Sequence, residues 1–200
     1  PVMVDVREEF TIDPEKIRTA ITPDTKAIIP VDIGGWMADY DAIMELVYEP
    51  AVREMFQADT PEQEKLGRIL VQADAAHSIG AHYKGRSCGR CADATVLSFH
   101  SVKNVTTGEG GAVCLNLPHP FQHEAEYKFL KAFALNGQTK SAFEKNQPGA
   151  WRYDIIAQGL KVNMPDLCAA VGLSQIRRYK SELLPDRRRQ FERYQRAFSP

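Results

Sequence analysis

Two short apolar runs, each leading to polar side chains, constrain the fold of this chain more than any other feature. The first is Ile69-Leu70-Val71, which leads to Asp74, and the second covers residues 95–99, which lead to Lys103. Both runs are short, partly β-branched and bounded by polar or glycine-containing segments, as buried strands are. In open α/β sheets, ligands bind beyond the carboxyl ends of the strands. The pattern therefore predicts that Asp74, His77 and Lys103 lie where a small molecule binds.

Helical and strand-like segments alternate along the rest of the chain. Asp13 can cap a helix whose first turn contains Pro14, and residues 41–47 have helical spacing. Residues 26–33 resemble a largely buried strand that Pro30 interrupts, because proline lacks a ladder donor. This order predicts an α/β fold with a mostly parallel sheet and right-handed crossovers. Further strands are predicted at residues 1–6 and 112–117, and a further helix at residues 124–135.

The last part of the sequence has helical periodicity. A helix is predicted to begin at Pro165, and Pro185 should break or kink it, because proline removes a backbone donor and clashes with the preceding turn. Arginines cluster here, and without interleaved exposed aromatics they indicate a solvated helix face rather than a nucleic-acid surface. The predicted buried face of this helix consists of Leu167, Val171, Ile176 and Tyr179.

The charge balance limits the classes of partner. The chain has 200 residues, with 25 basic and 26 acidic side chains, so composition predicts neither a nucleic-acid nor a membrane partner. No apolar run approaches the length that spans a bilayer, and no secretory signal is visible. We therefore expect a cytoplasmic protein with one domain-sized core.

The cysteines suggest ordinary thiols. Cys88 and Cys91 have CxxC spacing, but no second pair and no histidine cluster completes a zinc site. A thioredoxin-like motif opens a helix after a strand, whereas this pair precedes the predicted strand at residues 95–99. We predict that these thiols are reduced and have no metal or redox role.

A carboxylate and an amine held on opposite sides of one aromatic ring are what pyridoxal 5'-phosphate (PLP) requires. The amine of Lys103 can form a Schiff base with the aldehyde, and the carboxylate of Asp74 can pair with the pyridinium nitrogen. A nearby negative charge keeps that nitrogen protonated, which preserves the ring as an electron sink. The glycine-rich residues 108–111 allow a tight turn just after the lysine.

Three blocks of sequence around these residues resemble the DegT/StrS family of PLP-dependent nucleotide-sugar aminotransferases. They are DAAHS at residues 74–78, SFHSVKN at residues 98–104 and TTGEGG at residues 106–111. Residues 21–31 and 151–173 also resemble family sequence. The resemblance implies a three-layer α/β/α fold with a mostly parallel mixed sheet, which is the large domain of PLP-dependent fold type I enzymes.

The resemblance also implies a role for each site residue. Lys103 would carry the Schiff base, Asp74 would pair with the ring nitrogen, and His77 would contact the ring hydroxyl or stack on the ring. Ser98 would bind the cofactor phosphate. Asn163 would reach the phosphate of the neighbouring subunit's cofactor, which implies a homodimer with shared active sites.

The residues alone leave other interpretations open for each of these positions. Lys103 is also compatible with a surface lysine, and Asp74 with a strand-end or turn carboxylate. His77 is also compatible with a structural histidine, and Ser98 with a strand serine bonded to the backbone. Asn163 is also compatible with a helix cap before Met164 and Pro165.

The resemblance implies amino transfer from glutamate to a keto group on a nucleotide-linked sugar. Chains of the family are about twice as long, so we expect residues 1–163 to be an incomplete large domain. Residues 164–200 would be a helical segment leading to a small C-terminal domain. The piece alone would then be inactive or would bind PLP weakly.

Two other functions remain to be weighed. One is a PLP-dependent sugar dehydratase on the same scaffold, but such relatives have a histidine in place of Lys103. The other is a non-catalytic PLP-binding or regulatory homologue, against which the pairing of Asp74 with Lys103 argues.

Overall fold

Helices and strands alternate along the chain in the computed structural model, which describes residues 1–149 and 151–199. The α-helices are α1 (Pro14–Ala20), α2 (Tyr40–Tyr48), α3 (Pro50–Met55), α4 (Pro61–Leu66), α5 (His123–Phe133), α6 (Ala142–Lys145), α7 (Asp166–Arg178) and α8 (Leu184–Phe198). The strands are β1 (Ala27–Ile28), β2 (Leu70–Asp74), β3 (His82–Tyr83), β4 (Arg86–Ser87), β5 (Ala94–Ser98) and β6 (Gly111–Leu115). Short 3₁₀ turns occupy Ile33–Gly35 and Cys88–Arg90, and a π-helical turn occupies Tyr179–Leu183.

The main sheet has the strand order β1-β2-β5-β6. Strands β1, β2 and β5 are parallel, and β6 runs antiparallel to β5. The predicted mostly parallel mixed sheet is therefore confirmed. Asp74 at the end of β2 lies opposite Val96 of β5, so the carboxyl ends of these two central strands share one edge of the sheet.

The largest core cluster joins the first helices to the sheet. Ile17 of α1, Ile43 and Val47 of α2, and Val71 and Ala73 of β2 are all buried in it. Alternate residues of β2 supply this cluster, as the two-residue period of a strand requires. Asp74 follows the buried Ala73 as the last residue of β2, lies at the edge of the sheet and is half-buried.

Helix starts follow the predicted chemistry. The Asp13 side chain accepts a hydrogen bond from the Glu15 N–H at 3.0 Å, and Pro14 occupies the first turn of α1. Asp39 caps α2 in the same way by accepting from the Ala42 N–H. Both carboxylates satisfy donors that a helix leaves unpaired at its start.

The predicted strand at residues 26–33 is shorter than its apolar run. Pairing with β2 is continuous only over Ala27–Ile28, and after Pro30 it continues as an isolated bridge between Val31 and Asp74. The Pro30 carbonyl still accepts a hydrogen bond from the Asp74 N–H at 2.8 Å. The missing N–H of proline therefore produces the predicted interruption without separating the two segments.

The predicted strand at residues 1–6 is wrong. Val6 forms only an isolated bridge with Ile12, and Val2 and Met3 are exposed. Alternating valines alone do not make a strand, because a strand also needs a partner for its backbone hydrogen bonds.

A buried ion pair secures the start of β2 against the start of β5. The guanidinium of Arg68 donates to both carboxylate oxygens of Asp93 at 2.7 Å, and each side chain is only 2% exposed. Asp93 also accepts a hydrogen bond from the Val71 N–H at 2.9 Å, while the Tyr48 ring lies 4.4 Å from the guanidinium. Burial alone would lower the pKa of Arg68, but the contact with Asp93 raises it above its ordinary value.

The chain divides into two compact units. One comprises residues 1–116 together with the chain from residue 166 onward, and the other comprises residues 117–165. In the second unit, α5 stacks Phe129 on Phe133 at 6.1 Å, and Asn136 has a positive φ where the helix ends, as predicted. The predicted division of the chain into 1–163 and 164–200 stays a prediction.

The predicted buried face of α7 is wrong for three of its four residues. Leu167 is 84% exposed, and Val171 and Ile176 are also exposed, whereas Tyr179 is buried. The helix instead contacts its unit through Gly172, where an added Cβ would lie 2.6 Å from Thr107 Cγ2. The π-helical turn directly before α8 separates α7 from α8, near the break predicted at Pro185. In the described part of the chain, no helix combines the length and the apolar character that crossing a membrane requires.

Candidate active site

Asp74 is held firmly at the end of β2. Its N–H donates to the Pro30 carbonyl, and its own carbonyl accepts from the Asp32 N–H at 3.0 Å. The Asp74 carboxylate accepts a hydrogen bond from the Ala76 N–H through Oδ1 at 3.1 Å. Asp74 is therefore the last residue of β2, and its carboxylate bonds the turn that follows the strand.

His77 follows in the same turn, with its ring orientation fixed. Its Nδ1 accepts a hydrogen bond from the Gly34 N–H at 3.1 Å. A ring nitrogen that accepts carries no proton, so the proton of the neutral imidazole is on Nε2. The turn Ile33–Gly35 therefore determines which nitrogen of His77 can donate.

Lys103 lies in a loop that folds back on itself after β5. Its N–H donates to the His100 carbonyl at 2.9 Å, and its side chain is half-buried. Phe99 closes the loop, because its N–H donates to the Gly110 carbonyl and its carbonyl accepts from the Thr107 N–H. At the start of the loop, Ser98 Oγ accepts from the His100 N–H at 3.3 Å, so this hydroxyl bonds the backbone locally.

Asn104 joins the Asp74–His77 turn to the Lys103 loop. Its side-chain amide donates to the His77 carbonyl at 3.4 Å, and its own carbonyl accepts from Arg187 of α8 at 3.2 Å. The two segments that follow β2 and β5 are thus in contact. Sequence reasoning did not assign Asn104, and its only signal was its position next to Lys103.

The C-terminal part of the chain forms hydrogen bonds with both segments. The Gln175 side chain accepts a hydrogen bond from the Thr106 N–H at 3.1 Å. The Tyr179 hydroxyl donates to the Ile79 carbonyl at 2.6 Å, and an added Cβ on Gly80 would lie 2.2 Å from that hydroxyl. These contacts, rather than an apolar stripe, attach the segment from α7 onward to the site.

Replacing Tyr179 by phenylalanine should lower the free energy of unfolding by about 1 kcal/mol, because the Ile79 carbonyl loses its donor in a buried position. Urea unfolding of the two proteins measures the difference. Tyr194→Phe is the matched control, since Tyr194 is exposed and stacks on Phe198. Equal shifts for the two variants would contradict the role of the Tyr179 hydroxyl.

Asn163 lies in the second unit, with an exposed side chain. Helix α7 begins at Asp166, so Asn163 is not the residue that caps it. Its predicted contact with a neighbouring subunit's cofactor stays a prediction.

Asp32 is a fully buried carboxyl beside the predicted site residues. Its Oδ1 accepts from the Tyr40 hydroxyl at 2.7 Å and from the Ala38 N–H at 3.1 Å. Burial raises the pKa of Asp32 above its ordinary value, although these two hydrogen bonds oppose the rise. Burial and the neighbouring carboxylate raise the pKa of Tyr40 as well.

Asp39 provides a contrasting tyrosine–aspartate pair. Its Oδ1 accepts from the Tyr83 hydroxyl at 2.6 Å, and that bond is the main reason why the pKa of Asp39 is lowered. Asp39 is less buried than Asp32, and Arg7 lies close to its other carboxylate oxygen. The surroundings therefore raise the pKa of Asp32 and lower the pKa of Asp39.

The variants Asp32→Asn and Asp39→Asn should change the pH dependence of stability in opposite directions. Because the pKa of Asp32 is raised in the folded state, the wild-type protein loses stability as pH rises from about 3.8 through that folded-state pKa. The side chain of the Asp32→Asn variant does not titrate, so the stability of this variant relative to wild type should increase over the same pH range. Because the pKa of Asp39 is lowered in the folded state, this carboxylate contributes stability that is present above about pH 3.8 and is lost as pH falls through the folded-state pKa. The Asp39→Asn variant should therefore lose the most stability relative to wild type near neutral pH. Urea unfolding over roughly pH 3 to pH 8 measures both trends. Parallel trends for the two variants would contradict the assignment.

The cysteines in the described ranges are free thiols. Cys88 and Cys91 are buried, and burial raises the pKa of both, which disfavours the reactive thiolate. Within residues 1–149 and 151–199, no group of three or more His, Cys, Asp or Glu side chains is arranged to hold a metal ion.

Known proteins resemble this chain over nearly its whole length. The spore coat polysaccharide biosynthesis protein SpsC of Bacillus subtilis is 35% identical over 201 residues, which cover 99% of this chain and 45% of SpsC. The putative sugar aminotransferase Spr1654 of Streptococcus pneumoniae matches in its PMP form with a TM-score of 0.90 and 41% identity, covering 100% of this chain and 49% of Spr1654. Its PLP form matches with a TM-score of 0.89, 38% identity and coverage of 100% and 48%.

A more distant structure is PseC of Helicobacter pylori, an aminotransferase involved in the biosynthesis of pseudoaminic acid. It matches with a TM-score of 0.67 and 26% identity over 89% of this chain and 40% of PseC. The chain spans less than half the length of each of these relatives. The likeness to Spr1654 confirms the predicted α/β fold with a mixed sheet, the fold of PLP-dependent fold type I aminotransferases.

The family model for the DegT/DnrJ/EryC1/StrS aminotransferase family matches residues 1–53 and 62–200. These ranges include the turn after β2, the Lys103 loop and helices α7 and α8. The chain therefore belongs to the DegT/DnrJ/EryC1/StrS aminotransferase family.

Proposed function

We propose that the protein containing this chain uses PLP to transfer an amino group from glutamate to a keto group of a nucleotide-linked sugar. The observation that carries the proposal is the position of Asp74 at the end of β2 and of Lys103 in the loop after the adjacent parallel strand β5, with Asn104 joining the segments that follow the two strands. Family membership and the similarity to Spr1654, whose solved structures include PLP and PMP forms, support it.

The residues present fit PLP in their chemistry. Among residues 1–149 and 151–199, the Asp74 carboxylate is bonded only through Oδ1, which leaves Oδ2 to accept from a pyridinium N–H. Over the same ranges, Lys103 Nζ has no hydrogen bond and no ion pair, although the side chain is half-buried. A lysine ammonium usually has partners or full hydration, so an unpaired half-buried one suits a lysine that forms a covalent link.

Each side chain has a distinct task in this proposal. Lys103 would link covalently to the cofactor, and its amine, when free, would carry the proton that leaves the donor α-carbon. Bound PLP supplies the electron sink for the carbanion at that carbon. Asp74 stabilises the protonated ring nitrogen, which makes the sink effective.

His77 and Ser98 assist binding. With Nδ1 accepting from Gly34, His77 offers either its ring face or its Nε2–H to the cofactor ring. Ser98 Oγ accepts from the His100 N–H, so its hydroxyl hydrogen remains to donate to a phosphate oxygen. We also propose a cytoplasmic homodimer in which Asn163 serves the partner's cofactor.

The full-length protein should be yellow when purified with PLP, and adding glutamate should bleach it as the amino group moves to the cofactor. Adding the keto sugar should then restore the colour, and the sugar should gain nitrogen. A colourless protein would favour a non-catalytic homologue. A sugar that loses a hydroxyl without gaining nitrogen would favour the dehydratase, which Lys103 argues against.

A further inference from the structure

The turn Ile33–Gly35 lies directly against His77. Besides the bond from the Gly34 N–H to His77 Nδ1, Gly35 packs so closely that an added Cβ would lie 3.1 Å from the His77 carbonyl oxygen. Gly34 and Gly35 both have positive φ, at +59° and +86°, which favours glycine. The orientation of the imidazole therefore depends on the exact path of this turn.

The Asp32 carboxylate determines that path. Its Oδ1 accepts from the Ala38 N–H on the far side of the turn, so the side chain ties the two ends of residues 33–37 together. Its backbone N–H donates to the Asp74 carbonyl, and its carbonyl accepts from the Gly35 N–H at 3.2 Å. One residue thus anchors the turn to β2 and closes it.

Closing the turn with a carboxylate is energetically unfavourable, because the carboxylate must be buried away from water. Asp32 is 0% exposed, and its Oδ2 is buried without a hydrogen-bond partner in the described part of the chain. Ser78, which directly follows His77, has a fully buried hydroxyl that also has no partner there. Burying unpaired polar atoms is unfavourable, so loop closure alone gives little reason for this arrangement.

We propose that Asp32 is a positioning residue for His77, acting through the turn Ile33–Gly35. This proposal rests on the proposed function only because it takes His77 to contact the cofactor ring. By fixing the Gly34 N–H on Nδ1, Asp32 keeps the proton on Nε2 and holds the ring in one orientation. Tyr40 supports the arrangement by donating to the same Asp32 oxygen.

The direct test is the scalar coupling between the Gly34 amide nitrogen and His77 Nδ1 in ¹⁵N-labelled protein without cofactor. The coupling should be present in wild type and lost in Asp32→Ala, which removes the closure of the turn. Asp32→Asn should retain it, because the amide oxygen still accepts from Ala38 and Tyr40, and the amide N–H₂ can donate toward Ser78. Retention of the coupling in Asp32→Ala would overturn the proposal.

A second pair of variants decides the question if Asp32→Ala fails to fold. Gly35→Ala should abolish the coupling, because its Cβ meets the His77 carbonyl. Gly85→Ala is the matched control: Gly85 also has a positive φ and an added Cβ there meets nothing within 4 Å, but it lies outside the turn Ile33–Gly35, so the coupling should remain. If both alanine variants keep the coupling, the turn does not control His77 and the proposal is wrong.

Cofactor affinity of the full-length protein provides the functional readout. Asp32→Ala should weaken PLP binding roughly tenfold, the lower end of what outer-shell partners contribute at metal sites. In a His77→Ala background the same change should have little further effect, because Asp32 acts through His77. Additive effects would overturn the proposal. Failure to bind any PLP would count against the proposed function alone, since the coupling is measured without cofactor.

Discussion

Replacing Lys103 by alanine should abolish the visible absorbance of bound PLP in the full-length protein and almost all of its amino transfer. The methyl side chain has no amine to form the covalent link, and loss of the proton transfer alone costs about 10²–10⁴-fold in rate. Absorption spectra and the rate of nitrogen transfer to the sugar measure the two effects. Lys103→Arg should fail equally, because a guanidinium keeps the charge but is not a nucleophile at neutral pH.

The matched control is Lys128→Ala in α5. Lys128 is exposed and pairs with Glu124 one helical turn away, so the colour and activity of this variant should equal those of wild type. Full activity of the Lys103→Ala protein would exclude Lys103 from the chemistry. Equal losses in both lysine variants would show a general effect of charge rather than a role at the site.

Replacing Asp93 by alanine should lower the free energy of unfolding by about 3–5 kcal/mol, the cost of breaking a buried ion pair by removing one partner. The Arg68 guanidinium, which is 2% exposed in the wild-type protein, would lose its carboxylate partner, and the Val71 N–H would lose its acceptor. Urea unfolding at neutral pH measures the change. Such a loss is a large fraction of the roughly 5–15 kcal/mol that holds a typical domain folded.

Two controls separate a buried pair from charge pairing in general. Glu182→Ala removes the exposed partner of Arg178 and should have little effect, because exposed pairs contribute little. The double variant Arg68→Met with Asp93→Leu should recover much of the stability that Asp93→Ala loses, because no unpaired charge stays buried. A loss below about 1 kcal/mol in Asp93→Ala would contradict the assignment of this pair.

Local sequence predicted the elements that depend on near neighbours. The apolar runs before Asp74 and Lys103 predicted β2 and β5, because strand burial is visible in a few consecutive residues. The cap at Asp13 and the interruption at Pro30 followed from the chemistry of single residues. The edge of the sheet that carries the candidate site followed from the same reasoning.

The missed features depend on contacts between residues distant in sequence. The bond from Asn104 to His77 and the pair of Arg68 with Asp93 have no local pattern, since only the folded chain brings the partners together. The same limit explains the error at α7. Its periodicity predicted an apolar contact face, but the helix attaches through the Tyr179 hydroxyl and a close approach at Gly172.

The most direct measurement for the central claim is the location of the covalent link. Full-length protein is saturated with PLP, reduced with borohydride to fix the link, digested and mapped by peptide mass spectrometry. Pyridoxyl label is expected on the peptide containing Lys103, and no label is expected there when Asp74→Ala has removed the carboxylate that retains the ring. Label spread over exposed lysines such as Lys128, with Lys103 unmodified, would contradict it.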